Sequence, residues 1–138
     1  MTELTVRCTH APRRHLTLSE RELDDMTLRF CVDVRDDELD VHVHAVEFQP
    51  WDIDGLPGLV DGLLADFTGW TGERRWQGEH LDLAATFHSG GHIRLKWTVR
   101  PTPPYEDAWE LSLFTWVEAG EGLRQLAGDV RAFFDRRR

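Results

Sequence analysis

Seven histidines and two cysteines are the side chains of this 138-residue chain whose chemistry could exceed that of a scaffold. His42 and His44 stand two apart, so on an extended strand they share one face. His88 and His92 bracket Ser89-Gly90-Gly91, and a three-residue turn there makes them direct cross-strand neighbours. Paired imidazoles can ligate a metal, but a site needs a third donor. Asp82, Glu110 and Asp40 are carboxylates that only the fold could bring close. Cys8 and Cys31 form no Cys-x-x-Cys unit, and two cysteines alone do not make a structural zinc site. We read both as reduced core or near-core residues. The expectation is therefore no cofactor, no resident metal and no catalytic residue, with His42, His44, His88 and His92 the positions to inspect.

Nucleophilic and phosphate chemistry find less support. The Gly-x-Ser-x-Gly elbow is absent, and serine occurs only as Ser19, Ser89 and Ser112. Neither a Gly-x-Gly-x-x-Gly nor a Walker pattern is present to cradle a nucleotide. Six tryptophans are the compositional oddity. Trp97 sits on an apolar strand face and reads as core. Trp51, after Pro50, and Trp70, between two glycines' reach at Gly69 and Gly72, fall at element ends. There an indole combines a large apolar area with an N–H donor, as at binding hot spots.

Charge narrows the partner. The net charge is −9, and it is uneven: residues 1–69 carry fifteen acidic against six basic residues, while residues 70–138 balance at ten each. Asp36, Asp37 and Asp40 belong to the densest acidic cluster. No basic stripe exists to neutralise phosphates; the only dense basic run is Arg136-Arg137-Arg138, which reads as a solvated tail. Nucleic acid is not the expected partner. A basic protein is, because an acidic face draws one in and speeds encounter. No apolar run approaches the ~20 residues that span a bilayer, so no membrane partner is expected. The opening Met1-Thr2-Glu3-Leu4-Thr5 lacks the pattern of a secretory signal, and the expected location is the cytoplasm.

These side chains must be positioned by elements that the hydrophobic pattern outlines. Leu4, Val6 and Cys8 alternate, as do Leu16 and Leu18 after a turn at His10-Ala11-Pro12, which predicts an opening hairpin. Ser19–Glu22 reads as a loop or single turn. Leu28, Phe30, Val32 and Val34 face Leu39, Val41, Val43 and Ala45 in a second hairpin, with Val34 opposite Leu39 across a four-residue loop. Leu59, Val60, Leu63, Leu64 and Phe67 have helical spacing, predicting a helix over 56–67 with Asp52 or Asp54 as cap, Pro57 in its first turn and Gly69 at its end. Leu81–Phe87 and Ile93–Val99 alternate about a three-residue loop that places Phe87 opposite Ile93 and Gly91 in a left-handed conformation. Pro101-Thr102-Pro103-Pro104 ends that strand. A further strand spans Trp109–Val117, and a helix with one broad apolar stripe spans 121–134. Strands followed by a helix thus occur twice.

Three pieces carry a resemblance: Phe67-Thr68-Gly69-Trp70-Thr71-Gly72-Glu73-Arg74-Arg75-Trp76, then Ser89-Gly90-Gly91-His92, then Trp116-Val117-Glu118-Ala119-Gly120-Glu121. In residues and spacing the chain resembles an actinobacterial family, domain of unknown function 6228, over most of its length. The resemblance implies a source and a shared fold, and it transfers no catalytic residues. The reading is one domain over 1–138, of α+β class, with about seven or eight mostly antiparallel strands and two helices. The expected function is a non-catalytic protein-binding or regulatory module, immunity-like, recognising through Trp51, Trp70, Asp36, Asp37 and Asp40. A homodimer is compatible with it. The alternative is a small-molecule- or metal-dependent enzyme using the surface histidines.

Overall fold

In the computed structural model, described over residues 3–101 and 108–136, the apolar alternation resolves into two sheets and two helices. Strands β1 (Leu4–Arg7), β2 (His15–Asp24), β3 (Thr27–Asp36) and β4 (Leu39–Phe48) form one antiparallel sheet in chain order, followed by helix α1 (Pro50–Ala65). Strands β5 (Glu73–Gln77), β6 (Leu81–His88), β7 (His92–Val99) and β8 (Leu111–Glu118) form the second in the same order, followed by α2 (Glu121–Phe133). The doubled pattern of strands then helix is therefore real at the level of topology. Thr102, Pro103 and Pro104 of the proline run, and Arg137 and Arg138 of the tail, lie outside the described residues. Among those described, no helix is long and apolar enough to cross a membrane.

Both sheets turn one apolar face to a shared core. Leu4 pairs with Leu18, Val6 with Leu16, Leu18 with Val32 and Leu16 with Val34, and all are buried. In the second sheet Leu83 lies opposite Trp97, Ala85 opposite Leu95 and Phe87 opposite Ile93, as the alternation predicts. The Trp97 indole is buried and donates its N–H to Thr115 Oγ1 at 2.9 Å, so the largest core side chain leaves no polar atom unmet. Each helix lies on the last strand of its own unit and the first strand of the other: α1 on β4 and β5, α2 on β8 and β1. The helices also pack on each other, and β1 meets β8, where Thr9 N–H donates to the Trp116 carbonyl at 3.0 Å.

Four details differ from the sequence reading. The β3–β4 loop has two residues, not four: Asp36 lies opposite Leu39 and Val34 opposite Val41. A shift of two residues leaves every side chain on its original face, so alternation cannot detect it. The Asp36 carboxylate accepts the Asp37 N–H at 2.9 Å and caps the tight turn. Ser19–Glu22 is part of β2, where a register shift accommodates it. Helix α1 begins six residues early, because Asp52 reaches back to accept the Gln49 N–H at 3.0 Å, while Pro57 falls inside the helix and the C-cap is Asp66. Ala45 is exposed and Val46 takes its place in the core. The edge strand β5 has the mostly polar sequence Glu-Arg-Arg-Trp-Gln and gave no alternating signal.

Several glycines are required by geometry, in turns or under a packed ring. Gly91 has φ +77 and Gly90 φ +85 in the loop between β6 and β7. A Gly91→Val variant should lose ~1–2 kcal/mol through left-handed strain, since an added Cβ would meet only Ala119, at an ordinary 3.7 Å. Gly55 on α1 lies under the Trp76 indole, and a Cβ there would overlap Nε1. Alanine is the better helix former by ~1 kcal/mol. Gly55→Ala should nonetheless destabilise, by about 1–3 kcal/mol, because Trp76 is held against Phe48 at 5.3 Å and cannot retreat freely. Chemical denaturation of both variants checks this; a stabilised Gly55→Ala would show that the α1–β5 contact is loose.

Candidate functional site

The outer face of the first sheet carries the densest chemistry. With Phe30, Val32 and Val34 turned inward, β3 presents Cys31 and Asp33 on its other face, and β4 presents His42 and His44 beside them. Two bulges flank Cys31. On the β2 side the register shifts between Ser19 and Glu22, and on the β4 side between Phe30 and Val32. Glu20 at φ +54 and Ala45 at φ +55 hold left-handed conformations at these bulges, unusual for residues with a Cβ. His44 and Ala45 together span the stretch opposite Cys31, which returns Val46 to the core and keeps both histidines outward.

The contacts within this group are specific. Cys31 is buried, and its Sγ donates to Glu20 Oε2 at 3.1 Å. Burial first, then the neighbouring Glu20 carboxylate, push the thiol pKa up. His42 Nδ1 bonds Asp33 Oδ1 at 2.5 Å, and the His42 and His44 rings meet edge to face at 4.3 Å. One ligand atom from each of Cys31, His42 and His44 lies within 4.8 Å of the others. The third donor beside His42 and His44 is thus a thiol. Asp82 and Glu110 face Arg100, and Asp40 faces Arg35.

A second polar group gathers where β1 meets β8. His88 and His92 are the cross-strand pair that the three-residue loop requires. Their rings nevertheless part: His88 Nε2 contacts Thr86 Oγ1 at 2.9 Å, while His92 Nδ1 approaches Glu118 Oε2 at 2.7 Å. His10, from the loop after β1, stacks on Trp116 at 4.5 Å and meets His92 edge-on at 5.4 Å. His10, His92 and Glu118 form a second three-donor group. His10 and Glu118 are distant from His92 in sequence, and no spacing signal joins them.

The acidic tip is largely paired within itself. Asp36 meets Arg14 at 2.8 Å, Asp37 meets Arg13 at 3.4 Å, and Asp40 meets Arg35 at 3.2 Å. The Arg14 guanidinium holds the Asp36 carboxyl below its usual range. The two nominated tryptophans differ. Trp51 is 67% exposed on the first turn of α1. Trp70 is half-buried against Phe87 at 5.2 Å, with the Arg74 guanidinium over its ring at 5.1 Å. A cavity of about 540 Å³ runs along the β4 edge, lined by His42, His44, His80, Arg100 and Trp109. His80 is buried there, and burial lowers its pKa below the ordinary histidine value.

Comparison with curated proteins and with solved structures returns no match. Comparison with family models does. The match covers residues 7–137, which takes in both helices, every strand but most of β1, and both histidine groups. The chain belongs to the family of unknown function DUF6228.

Proposed function

We propose that this domain is a non-catalytic binding module that engages a basic protein as an immunity-like inhibitor or regulator. The observation that carries the reading is the exposure of Trp51 in the half of the chain that holds all the excess negative charge. Trp51 does not stand alone. Met26, 62% exposed, lies on the β2–β3 turn, and that turn is tied to the start of α1 by the Thr27 hydroxyl donating to Gln49 Oε1 at 3.5 Å. Met26 and Pro50 line one groove of about 140 Å³ together with Leu23, Ile53, Asp25 and Arg136. The Met26 thioether lines the groove and the exposed Trp51 indole follows Pro50 in the chain, two adaptable apolar anchors.

The charge around that anchor is only partly paired: Arg136 meets Asp54 at 2.8 Å beside the groove. Asp24 and Asp25 are exposed on the same turn, and among the described residues no ion pair engages either. Asp36, Asp37 and Asp40 each have an arginine beside them, so their field at a distance is weaker. The recognition surface therefore lies toward Met26 and Trp51 rather than at the β3–β4 tip. Trp70, packed beneath Arg74, contributes less area to a partner.

A photo-crosslinking amino acid at position 51 should capture a protein of basic isoelectric point in the native cell, whereas the same probe at Glu38 should capture it poorly. With that protein purified, association should slow as salt rises from ~0.1 to ~1 M, where the Debye length falls from ~10 to ~3 Å. Asp24→Asn with Asp25→Asn should slow association more than the triple Asn variant of Asp36, Asp37 and Asp40. Trp51→Ala should raise the dissociation rate tenfold or more, equivalent to ~1.4 kcal/mol. A salt-independent association rate would defeat the electrostatic half of the proposal, and an unchanged dissociation rate the tryptophan half.

A further inference from the structure

We propose that Cys31, His42 and His44 bind one divalent ion of the zinc class on the outer face of the first sheet. The expectation of no metal rested on the lack of a third donor, and the β3–β4 pairing supplies it. The three ligand atoms lie within 4.8 Å of one another. A tetrahedral zinc site with bonds of ~2.0–2.3 Å has ligand edges of about 3.5 Å, so side-chain rotations of about 1 Å close the shell. A thiolate with two imidazoles selects zinc, cobalt or copper over magnesium and calcium, which prefer all-oxygen shells.

Three independent features distinguish this group from a chance gathering. Asp33 holds His42 Nδ1 at 2.5 Å, which leaves the lone pair on Nε2; a carboxylate behind a histidine is the usual outer support of a metal ligand. Glu20 Oε2, 3.1 Å from the sulfur, is placed to accept the thiol proton. Bulges on both neighbouring strands, with left-handed Glu20 and Ala45, re-aim the side chains around Cys31, and the β4 bulge keeps both histidines outward while Val46 stays in the core. Binding forms one metal–sulfur bond and breaks the S–H bond, its proton leaving to Glu20 and then to solvent.

The group of His10, His92 and Glu118 is the competing site. It lacks sulfur and flanking bulges, and His92 Nδ1, though 2.7 Å from Glu118, is not aligned for a hydrogen bond with it.

Metal-free, reduced protein titrated with Co²⁺ reads the assignment directly. One equivalent should bind, with a sulfur-to-cobalt charge-transfer band in the near ultraviolet, and Zn²⁺ should displace it. Cys31→Ser should abolish the band, and His42→Ala with His44→Ala should weaken binding by at least 100-fold. His10→Ala with His92→Ala should leave both unchanged. Asp33→Asn, which keeps the ligands and the fold, should weaken affinity about 10–100-fold; it also serves if Cys31→Ser fails to fold. Cobalt binding without a sulfur band, binding lost only in the His10/His92 variant, or no stoichiometric binding by folded wild-type protein would each overturn the proposal.

Discussion

Two open four-stranded sheets, each apolar on one face, cannot stand in water alone, and the whole architecture follows from covering both faces with only two helices. Each helix solves this by lying across the boundary between units. Helix α1 rests on β4 and β5, and α2 rests on β8 and β1, so each unit's helix covers part of the other. The core is consequently one cluster that draws on all eight strands' inner positions except those of polar β5, whose Trp76 packs at its margin. The close seat of Trp76 on Gly55 and the aromatic group of Phe30, Phe48, Phe133 and Phe134 are where the two halves interlock.

The inner face being committed to packing, chemistry is confined to outer faces, edges and loops. On the outer face of the first sheet, the pleat sets Cys31 and Asp33 beside His42 and His44, and bulges bring the thiol into their company. At the β1–β8 junction, the hydrogen bond from Thr9 to the Trp116 carbonyl fixes the loop that carries His10. Both groups depend on strand pairing for their existence, and neither draws on the core.

Charge is organised on the same principle. The chain has an excess of carboxylates in its first half, yet the tip of the β3–β4 hairpin pairs its acids with Arg13, Arg14 and Arg35. Density of charge in sequence and strength of field at the surface are therefore different quantities. Exposed ion pairs contribute little to stability but do cancel the field a partner would sense. Asp24 and Asp25, less conspicuous in the sequence, are exposed next to Met26 where β2 turns into β3.

What the sequence determined by itself is the set of faces. Alternation at period two placed Leu16, Val32, Leu83 and Trp97 inward without any knowledge of partners, and the broad stripe from Leu123 to Phe133 marked α2, because burial of one face is a local and periodic demand. The β6–β7 register was legible too, since only one loop length kept Phe87 and Ile93 on the same side. The β3–β4 register was not, because a two-residue slip preserves every face. Helix α1 was half hidden by Gly55, Pro57 and Gly58, and β5 by its polar edge sequence. Cys31 shares its strand parity with Asp33, and even the mistaken register set it across from His42, so a test of which outer-face residues meet across the hairpin would have found it. Tertiary structure alone decided the rest: that left-handed Glu20 and Ala45 bend the sheet around that thiol, and that His10 and Glu118 converge on His92. Those positions come from long-range pairing, whose free energy is spread over the whole core and leaves no local periodic trace.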